Sequence, residues 1–597
     1  MIWEFKSTSQ QMSKSRNQLK QVLIINITRM GDLVQTGVLL DRLHHESPGV
    51  AIDLVVDRGF APMASLLKGI RHVLAFDFQA LMDDSRSRAK DVVQLHAELA
   101  AWARPLAAAG YDRVINLTFN RRSAWLVTYI GAPDVRGVGT TPDGSLTVKN
   151  PWLSYFTDLH RYRRFNRFNI VDLYTLGGSG PGPAASLSLR VEPESRDWAH
   201  AQLRAAESAA QRTPYDVREP DGELLPARRT PHVAPKYWIA VQIGASDAMK
   251  AWRPEYFGLA MAALQRKAPV GFVVIGTDGE AAAVRRALEV FRAASANAGR
   301  PAGPICDVVG RTDLSQLLGL LSECRLLLTN DTGPMHMAVS VGTPVVDLSV
   351  GHVDFRETGP YGAGHWVVQP DIECAPCGFD MVCPHHACKD RIQADALAAL
   401  CVHALGEGPL PMGMAGVRLY ESRMDEDGLA SYVLRAGQED PLVRWYSRFW
   451  RRYWYEEFTG QESRLPGHEE PAPDFVRITE GREVMTTLLD QLCARAEELA
   501  TLIRRRPLPV GELKSAQQSL ARETQLVVQA AHASPAFWPL VVALLRDIHS
   551  LDGAGLIDMA RGQSAAYRRC RRRVEQAAGI LTGADQQLPG SKTCVSA

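Results

Sequence analysis

Short apolar runs alternate with longer amphipathic stretches in two separate blocks of the chain. In the first, VLIINI (22–27) leads through a turn into an amphipathic stretch over 33–44, and IDLVV (52–56), HVLAF (72–76) and RVINL (113–117) follow with helical spacing between them. That rhythm predicts βαβ units and a mostly parallel sheet covered on both faces. Residues 205–235 are Pro-rich, charged and without periodicity, and read as an interdomain linker. The second block repeats the rhythm in YWIAVQIG (237–244), GFVVIG (271–276), RLLLTN (325–330) and PVVDLSV (344–350). Two doubly wound halves are expected to face a cleft at the carboxyl ends of both sets of strands. The predicted order is a polar tail over 1–20, a Rossmann-like domain over 21–204, the linker over 205–235 and a second Rossmann-like domain over 236–405. Beyond about residue 410 the rhythm stops, and the chain to 597 reads as helix with polar loops.

Three strand-to-helix turns carry the candidate chemistry. In LLLTNDTGPMHMAVSVGTPVV (326–346) a strand runs into Asn-Asp-Thr-Gly-Pro and then into a helix. Pro334 suits the first helical position and Gly333 the N-cap, which leaves the amides of Met335 and His336 facing the cleft. A helix start of that kind attracts a phosphate, with Thr332 adding a hydroxyl, His336 an imidazole and Asp331 an acceptor for loop or sugar hydroxyls. The plainer reading is a capped turn with a satisfied histidine. In VLIINITRMGDLVQTG (22–37), Gly31 permits close backbone approach and Asp32 opens the helix, as a simple N-cap or as a general base. In QIGASDAMKAWRPEYFGLA (242–260), the Ser246 hydroxyl and the Lys250 ammonium suit a diphosphate, or else decorate a surface loop.

Composition narrows the class. The chain has 597 residues, 46% of them hydrophobic and 22% charged, enough for several cores. A formal net charge of +1 supplies no global field for nucleic acid, so any anion site is local. The first twenty residues lack the apolar core of a signal peptide, and no later stretch is apolar for long enough to span a bilayer, which predicts a cytoplasmic protein.

Taken together and in this order, MGD (30–32), GASDAMKAW (244–252) and NDTGPMHMAVSVGTPVV (330–346) resemble glycosyltransferase family 9, the ADP-heptose:lipopolysaccharide heptosyltransferases. The resemblance spans about residues 21–405. It implies a GT-B fold, with the donor in the C-terminal half and the acceptor in the N-terminal half, and an inverting, metal-independent transfer from an ADP-sugar to a lipopolysaccharide-core-type acceptor. It makes Asp32 the base and Ser246 and Lys250 diphosphate ligands, with Asp331, Thr332, Gly333 and His336 around the phosphates and the transferred sugar. Asp247, Ala248 and Met249 depart from the family's usual loop. The Asp425-Glu426-Asp427 triplet lies outside both halves and reads as solvated. A protein acceptor, or a noncatalytic nucleotide-sugar-binding scaffold, are the rival readings. In NLTFNRRSAW (116–125), Arg121 and Arg122 follow a strand exit of the acceptor half, to hold acidic groups or simply to face solvent.

Four of the ten cysteines, Cys374, Cys377, Cys383 and Cys388, lie within fifteen residues. They read either as a knuckle for structural zinc or iron, as in cysteine-rich tails of the resembled family, or as reduced thiols. WYSRFWRRYWYEEF (445–458) interleaves aromatics with arginines, which suits a helix at a membrane interface near a lipid-linked acceptor or one docked on the catalytic body. RRR (504–506) and RRCRRR (568–573) read as solvated faces or as contacts to anionic lipid.

Overall fold

A computed structural model describes residues 18–582 apart from 88–89, 142–143, 213–233, 299–301, 379–380, 466–474 and 552–554. The N-terminal sheet contains β1 (Gln21–Ile25), β2 (Ala51–Asp57), β3 (His72–Phe76), β4 (Arg113–Asn116), β5 (Asp134–Thr140) and β6 (Leu146–Lys149). Its order is β3-β2-β1-β4-β5-β6, parallel except for β6. The run VLIINI forms a strand because both faces are covered. Val22 and Ile24 pack into one core and Leu23 and Ile25 into another, all fully buried, so no polar position alternates with them.

The C-terminal sheet contains β7 (Tyr237–Gln242), β8 (Val270–Ile275), β9 (Ile305–Asp307), β10 (Leu326–Asn330), β11 (Val345–Leu348), β12 (Trp366–Pro370), β13 (Val417–Met424) and β14 (Ala430–Ala436). Its order is β14-β13-β12-β11-β10-β7-β8-β9. Chain order reverses beside β1 in the first sheet and beside β7 and β10 in the second, the points where a doubly wound sheet opens a ligand crevice. The turns bearing Asp32, Lys250 and His336 leave those three strands.

Three expectations need revision. The region past 410 is not helical throughout, since β13 and β14 extend the second sheet as an antiparallel hairpin before helix takes over at Pro441. A helix occupies Pro193–Arg212, so the linker cannot begin at 205; the rest of that stretch, to 233, lies outside the described residues, as does most of the polar tail. Asp425 and Asp427 are not solvated. Their side chains are 8% and 0% exposed, and both pair with Arg451 at 3.0 and 2.8 Å.

The helix Pro441–Thr459 carries the aromatic stretch, and packing explains it. Tyr446, Phe449, Trp450, Tyr453, Trp454 and Tyr455 are buried. Phe458 meets Trp152 at 5.0 Å and Tyr446 meets Phe165 at 5.9 Å, so the chain returns from the second domain to the first. On its other side lie the helices Phe475–Leu502, Val510–Ala533, Trp538–His549 and Leu556–Thr582. The arginine run 568–573 faces this bundle: Arg573 pairs with Glu457 at 2.8 Å, Arg569 with Asp547 at 3.2 Å, and Arg568 with Glu497. Among the described residues no single helix is long and apolar enough to cross a membrane.

Asp172 sits at the junction of the domains, accepting from the Tyr361 hydroxyl at 2.9 Å and the Ala430 amide at 3.1 Å. Burial pushes its carboxyl up to about 7, against the pull of Arg451. An acid with a folded pKa above its unfolded value of 3.8 binds its proton more tightly when folded, so stability falls as pH rises between those two values. The melting temperature of the parent is therefore expected to drop more between pH 5.5 and 8 than that of Asp172→Asn, as read by thermal denaturation at matched ionic strength.

Candidate active site

The exit from β1 turns into the helix Met30–Gln35, whose N-cap is Arg29. Asp32 is therefore the third residue of the helix, within its first turn, and the simple N-cap reading does not hold. Its carboxylate accepts from the Thr28 hydroxyl at 3.0 Å. Burial raises the carboxyl above its ordinary value of 3.8 and Asp331 pushes the same way, while Thr28, Arg29 and Lys250 pull it down. Asp32 thus feels charges from the opposite domain.

At the exit from β7, Asp247 accepts from the Met249 amide at 2.8 Å, closing a tight turn over Ala248–Lys250. This turn directs Lys250 back to the Asp331 carbonyl, to which its ammonium donates at 2.9 Å. Ser246 is exposed in the same loop. One buried amide fixes the two exits relative to each other. Asn330 Nδ2 donates to the carbonyls of Ile243 and Gly244 at 3.0 and 3.1 Å, and its Oδ1 accepts from the Trp252 amide at 2.9 Å.

At the exit from β10, the helix Gly333–Ser340 starts one residue earlier than expected, with Thr332 as the N-cap. The Met335 amide donates to the Thr332 carbonyl at 3.1 Å and so does not face the cleft freely. Asp331 accepts from the Thr358 hydroxyl at 2.7 Å. Thr332 Oγ1 lies 3.3 Å from Thr329 Oγ1. His336 is buried, which lowers its pKa to about 4, and among the described residues its Nδ1 has no hydrogen-bond partner. The imidazole is neutral at physiological pH.

The turns after β1 and β10 touch across the cleft. A Cβ on Gly31 would stand 3.3 Å from His336 Cδ2, and one on Gly333 would stand 2.2 Å from Met30 Cε. The fold therefore gathers Asp32, Lys250, Asp331, Thr332, Gly333 and His336 at one place. Arg121 and Arg122 are exposed at the start of the helix Arg121–Ile130, on the same sheet edge, and Arg122 lines a cavity on the flank of the N-terminal domain.

Two acidic groups escaped the sequence reading. Asp347 on β11 is fully buried, and burial together with Asp331 pushes its carboxyl well above the usual carboxylate range. A carboxylic acid inside the buried run PVVDLSV was the available signal. Glu357, raised by burial and by Asp354, meets Arg163 of the first domain at 3.1 Å; Arg163 also donates to the His352 carbonyl at 2.8 Å and the Cys377 carbonyl at 3.1 Å.

The thiols of Cys374, Cys383 and Cys388 lie near enough to Cys377 to add to the upward push that burial gives it. Among the described residues, no three His, Cys, Asp or Glu side chains gather in a geometry that would hold an ion. No metal enters the chemistry derived below.

Two doubly wound domains facing a cleft, with a carboxylate on one lip and a lysine and a helix start on the other, have the architecture of a GT-B fold. Residues 184–388 match the model for glycosyltransferase family 9 (heptosyltransferase). The chain is similar to lipopolysaccharide heptosyltransferase 1 of Pseudomonas aeruginosa, 25% identical over 60% of this chain and 86% of that protein. It is also similar to lipopolysaccharide heptosyltransferase 1 of Salmonella typhimurium, 24% identical over 57% and 92%. The solved ADP-heptose lps heptosyltransferase II of E. coli aligns at 16% identity over 65% of this chain and 99% of that one, with a TM-score of 0.43. The chain is similar to the glycosyltransferases of this heptosyltransferase family.

His336→Ala is expected to weaken ADP binding by about 1–3 kcal/mol, the cost of losing a hydrogen bond to a charged group. Because the imidazole stays neutral above about pH 4, the ratio of parent to variant affinity should be the same at pH 5.5 and pH 8 in calorimetry. Lys250→Ala should show a loss that shrinks as salt rises.

Proposed function

We propose that the chain moves a heptose or related sugar from an ADP-sugar to a lipopolysaccharide-core-type acceptor, with inversion and without a catalytic metal. The observation that carries this reading is the meeting of Asp32 with Lys250 and Asp331 across the cleft, in a site dry enough to raise the Asp32 carboxyl. The names of the relatives support the choice of donor and acceptor. Such an acceptor puts the enzyme at the cytoplasmic face of the membrane that holds it.

In this reading the acceptor hydroxyl approaches from the N-terminal domain, and Asp32 takes its proton as the oxygen attacks the anomeric carbon. Desolvation makes the carboxylate a stronger base than one in water. Opposite the attack, the departing diphosphate gathers negative charge. Lys250, the hydroxyls of Ser246 and Thr332, and the start of the helix Gly333–Ser340 offer donors to that charge, and these interactions strengthen as the bond breaks. The neutral His336 donates without adding a second cation. Asp331, fixed by Thr358, is an acceptor for sugar hydroxyls. Contact between the Met30–Gly31 turn and the Gly333–His336 turn excludes water that would otherwise hydrolyse the donor.

Asp32→Asn is expected to leave ADP binding within about twofold of the parent and to lower transfer by roughly two to four orders of magnitude. The acid limb of the parent's turnover profile should lie above pH 3.8, in keeping with the raised carboxyl. A thermal-shift series with ADP-, GDP- and UDP-sugars should show the largest stabilisation with the ADP-sugar. Equal turnover in the variant would leave Asp32 a structural residue, and binding without any transfer to lipid or protein acceptors would favour the noncatalytic scaffold.

A further inference from the structure

The flank of the N-terminal domain holds a cavity of about 590 Å³, away from the groups described above. It lies between the helices Phe78–Ser87, Val92–Ala108 and Arg121–Ile130, and Thr140, Thr141 and Gly144 line one end. Phe78, Leu81, Leu99, Trp102, Trp125 and Tyr129 give it a mainly apolar wall. The floor is firm: Trp102 meets Phe76 at 4.7 Å and Phe78 at 5.7 Å, and the Thr128 and Thr140 hydroxyls bond to each other at 2.8 Å. Its size is that of a small-molecule site, and its wall is far more apolar than a solvated surface requires.

The wall has a direction. Arg122, Trp125 and Tyr129 follow one another at spacings of three and four, so they form one stripe along their helix. Arg122 stands at the helix start, which follows the carboxyl end of β4. That end is tied to the exit from β1, where the Ile27 amide donates to Thr118 Oγ1 at 2.9 Å and Asn26 Nδ2 donates to the Asp32 carbonyl at 3.1 Å. The cationic end of the stripe is thus on the edge that carries Asp32, and its aromatic end leads away. Trp125 and Tyr129 are 58% and 52% exposed, a costly display for a helix with no further partner.

We propose that this cavity receives one acyl chain of an anionic amphiphile, whose acidic head group lies against Arg121 and Arg122 on the Asp32 side. Charge complementarity commits the occupant: an apolar slot with a cationic mouth fits a chain joined to a phosphate or carboxylate, and a neutral glycan fits neither part. The identification of this amphiphile with the acceptor rests on the function proposed above; the chain site itself does not.

The test uses the full-length protein and alkyl phosphates of four, eight and twelve carbons below their micellar concentrations, with inorganic phosphate as the head group alone and dodecyl maltoside as a chain without charge. Affinity by calorimetry is expected to rise about two- to fourfold per added methylene, while inorganic phosphate binds far more weakly than dodecyl phosphate. Ala100→Trp, which fills the slot from its wall, should weaken dodecyl phosphate at least tenfold and leave ADP binding unchanged. Arg122→Gln should weaken dodecyl phosphate several-fold and dodecyl maltoside hardly at all. Should Ala100→Trp fail to fold by circular dichroism, the exposed position Trp125→Ala serves in its place with the same expectation. No dependence on chain length, or dodecyl phosphate binding that neither wall variant disturbs, overturns the proposal. So does binding to anionic phospholipid vesicles that survives both wall variants while alkyl phosphates show no chain dependence, which marks a bilayer contact instead. Loss of ADP binding in the parent would strike at the transferase reading alone, since the alkyl phosphate series needs no donor.

Discussion

The contact between two helix starts is the constraint on which the site depends. Neither the Met30–Gly31 turn nor the Gly333–His336 turn contains a complete set of groups. The first turn sets Asp32 beside Arg29 but lacks Lys250, and the second domain brings Lys250 and Asp331 but lacks Asp32. Glycine at positions 31 and 333 lets the turns approach until His336 and Met30 fill the gap between them. The approach is held from outside the cleft by Arg163, which crosses to Glu357 and two carbonyls, and by Arg167, which pairs with Glu439 at 2.9 Å. Buried ion pairs of this sort lose much of their attraction to desolvation, so they fix geometry more than they add stability.

Within the C-terminal domain a neutral group does comparable work. Asn330 joins the exits of β7 and β10 through three hydrogen bonds, and a side chain of either sign there would face the desolvation cost that an amide avoids. The acidic residues nearby follow the same economy. Asp331 keeps a hydrogen-bonding role through Thr358, and burial pushes the Asp347 carboxyl well above the usual carboxylate range. A site that must receive an anion can hold several carboxyls only if most of them are protonated or already bonded.

Most of the central strands and all three strand-to-helix turns were legible in the sequence, because a strand covered on both faces is a continuous apolar run and a strand exit at a switch point concentrates polar and small residues. What could not be read depended on partners far away in the chain. The triplet at 425–427 has the composition of a solvated turn, and its burial depends on Arg451, on a helix that returns from another direction. The hairpin of β13 and β14 follows a long interval after the last βα unit, where the repeating rhythm gives no cue. Asp347 is hidden for the opposite reason: it sits inside a run otherwise apolar enough to be read as plain core. Of the arginines at 568–573, Arg573 is drawn in beside Glu457, while Arg568, Arg569 and Arg572 keep the solvated face that the run suggests.

The returning helix Pro441–Thr459 also decides which half of the molecule owns the bundle that follows it. Trp538 of the bundle donates to the Arg161 carbonyl at 3.1 Å, and Arg546 reaches Asp158 at 3.8 Å, both in the N-terminal domain. The helix Pro441–Thr459 nevertheless stays tied to the second domain, where Arg451 pairs with Asp425 at 3.0 Å and Asp427 at 2.8 Å and donates to the Ala430 carbonyl at 3.2 Å. One helix is thus held by both halves, and any opening of the cleft pulls on those buried pairs.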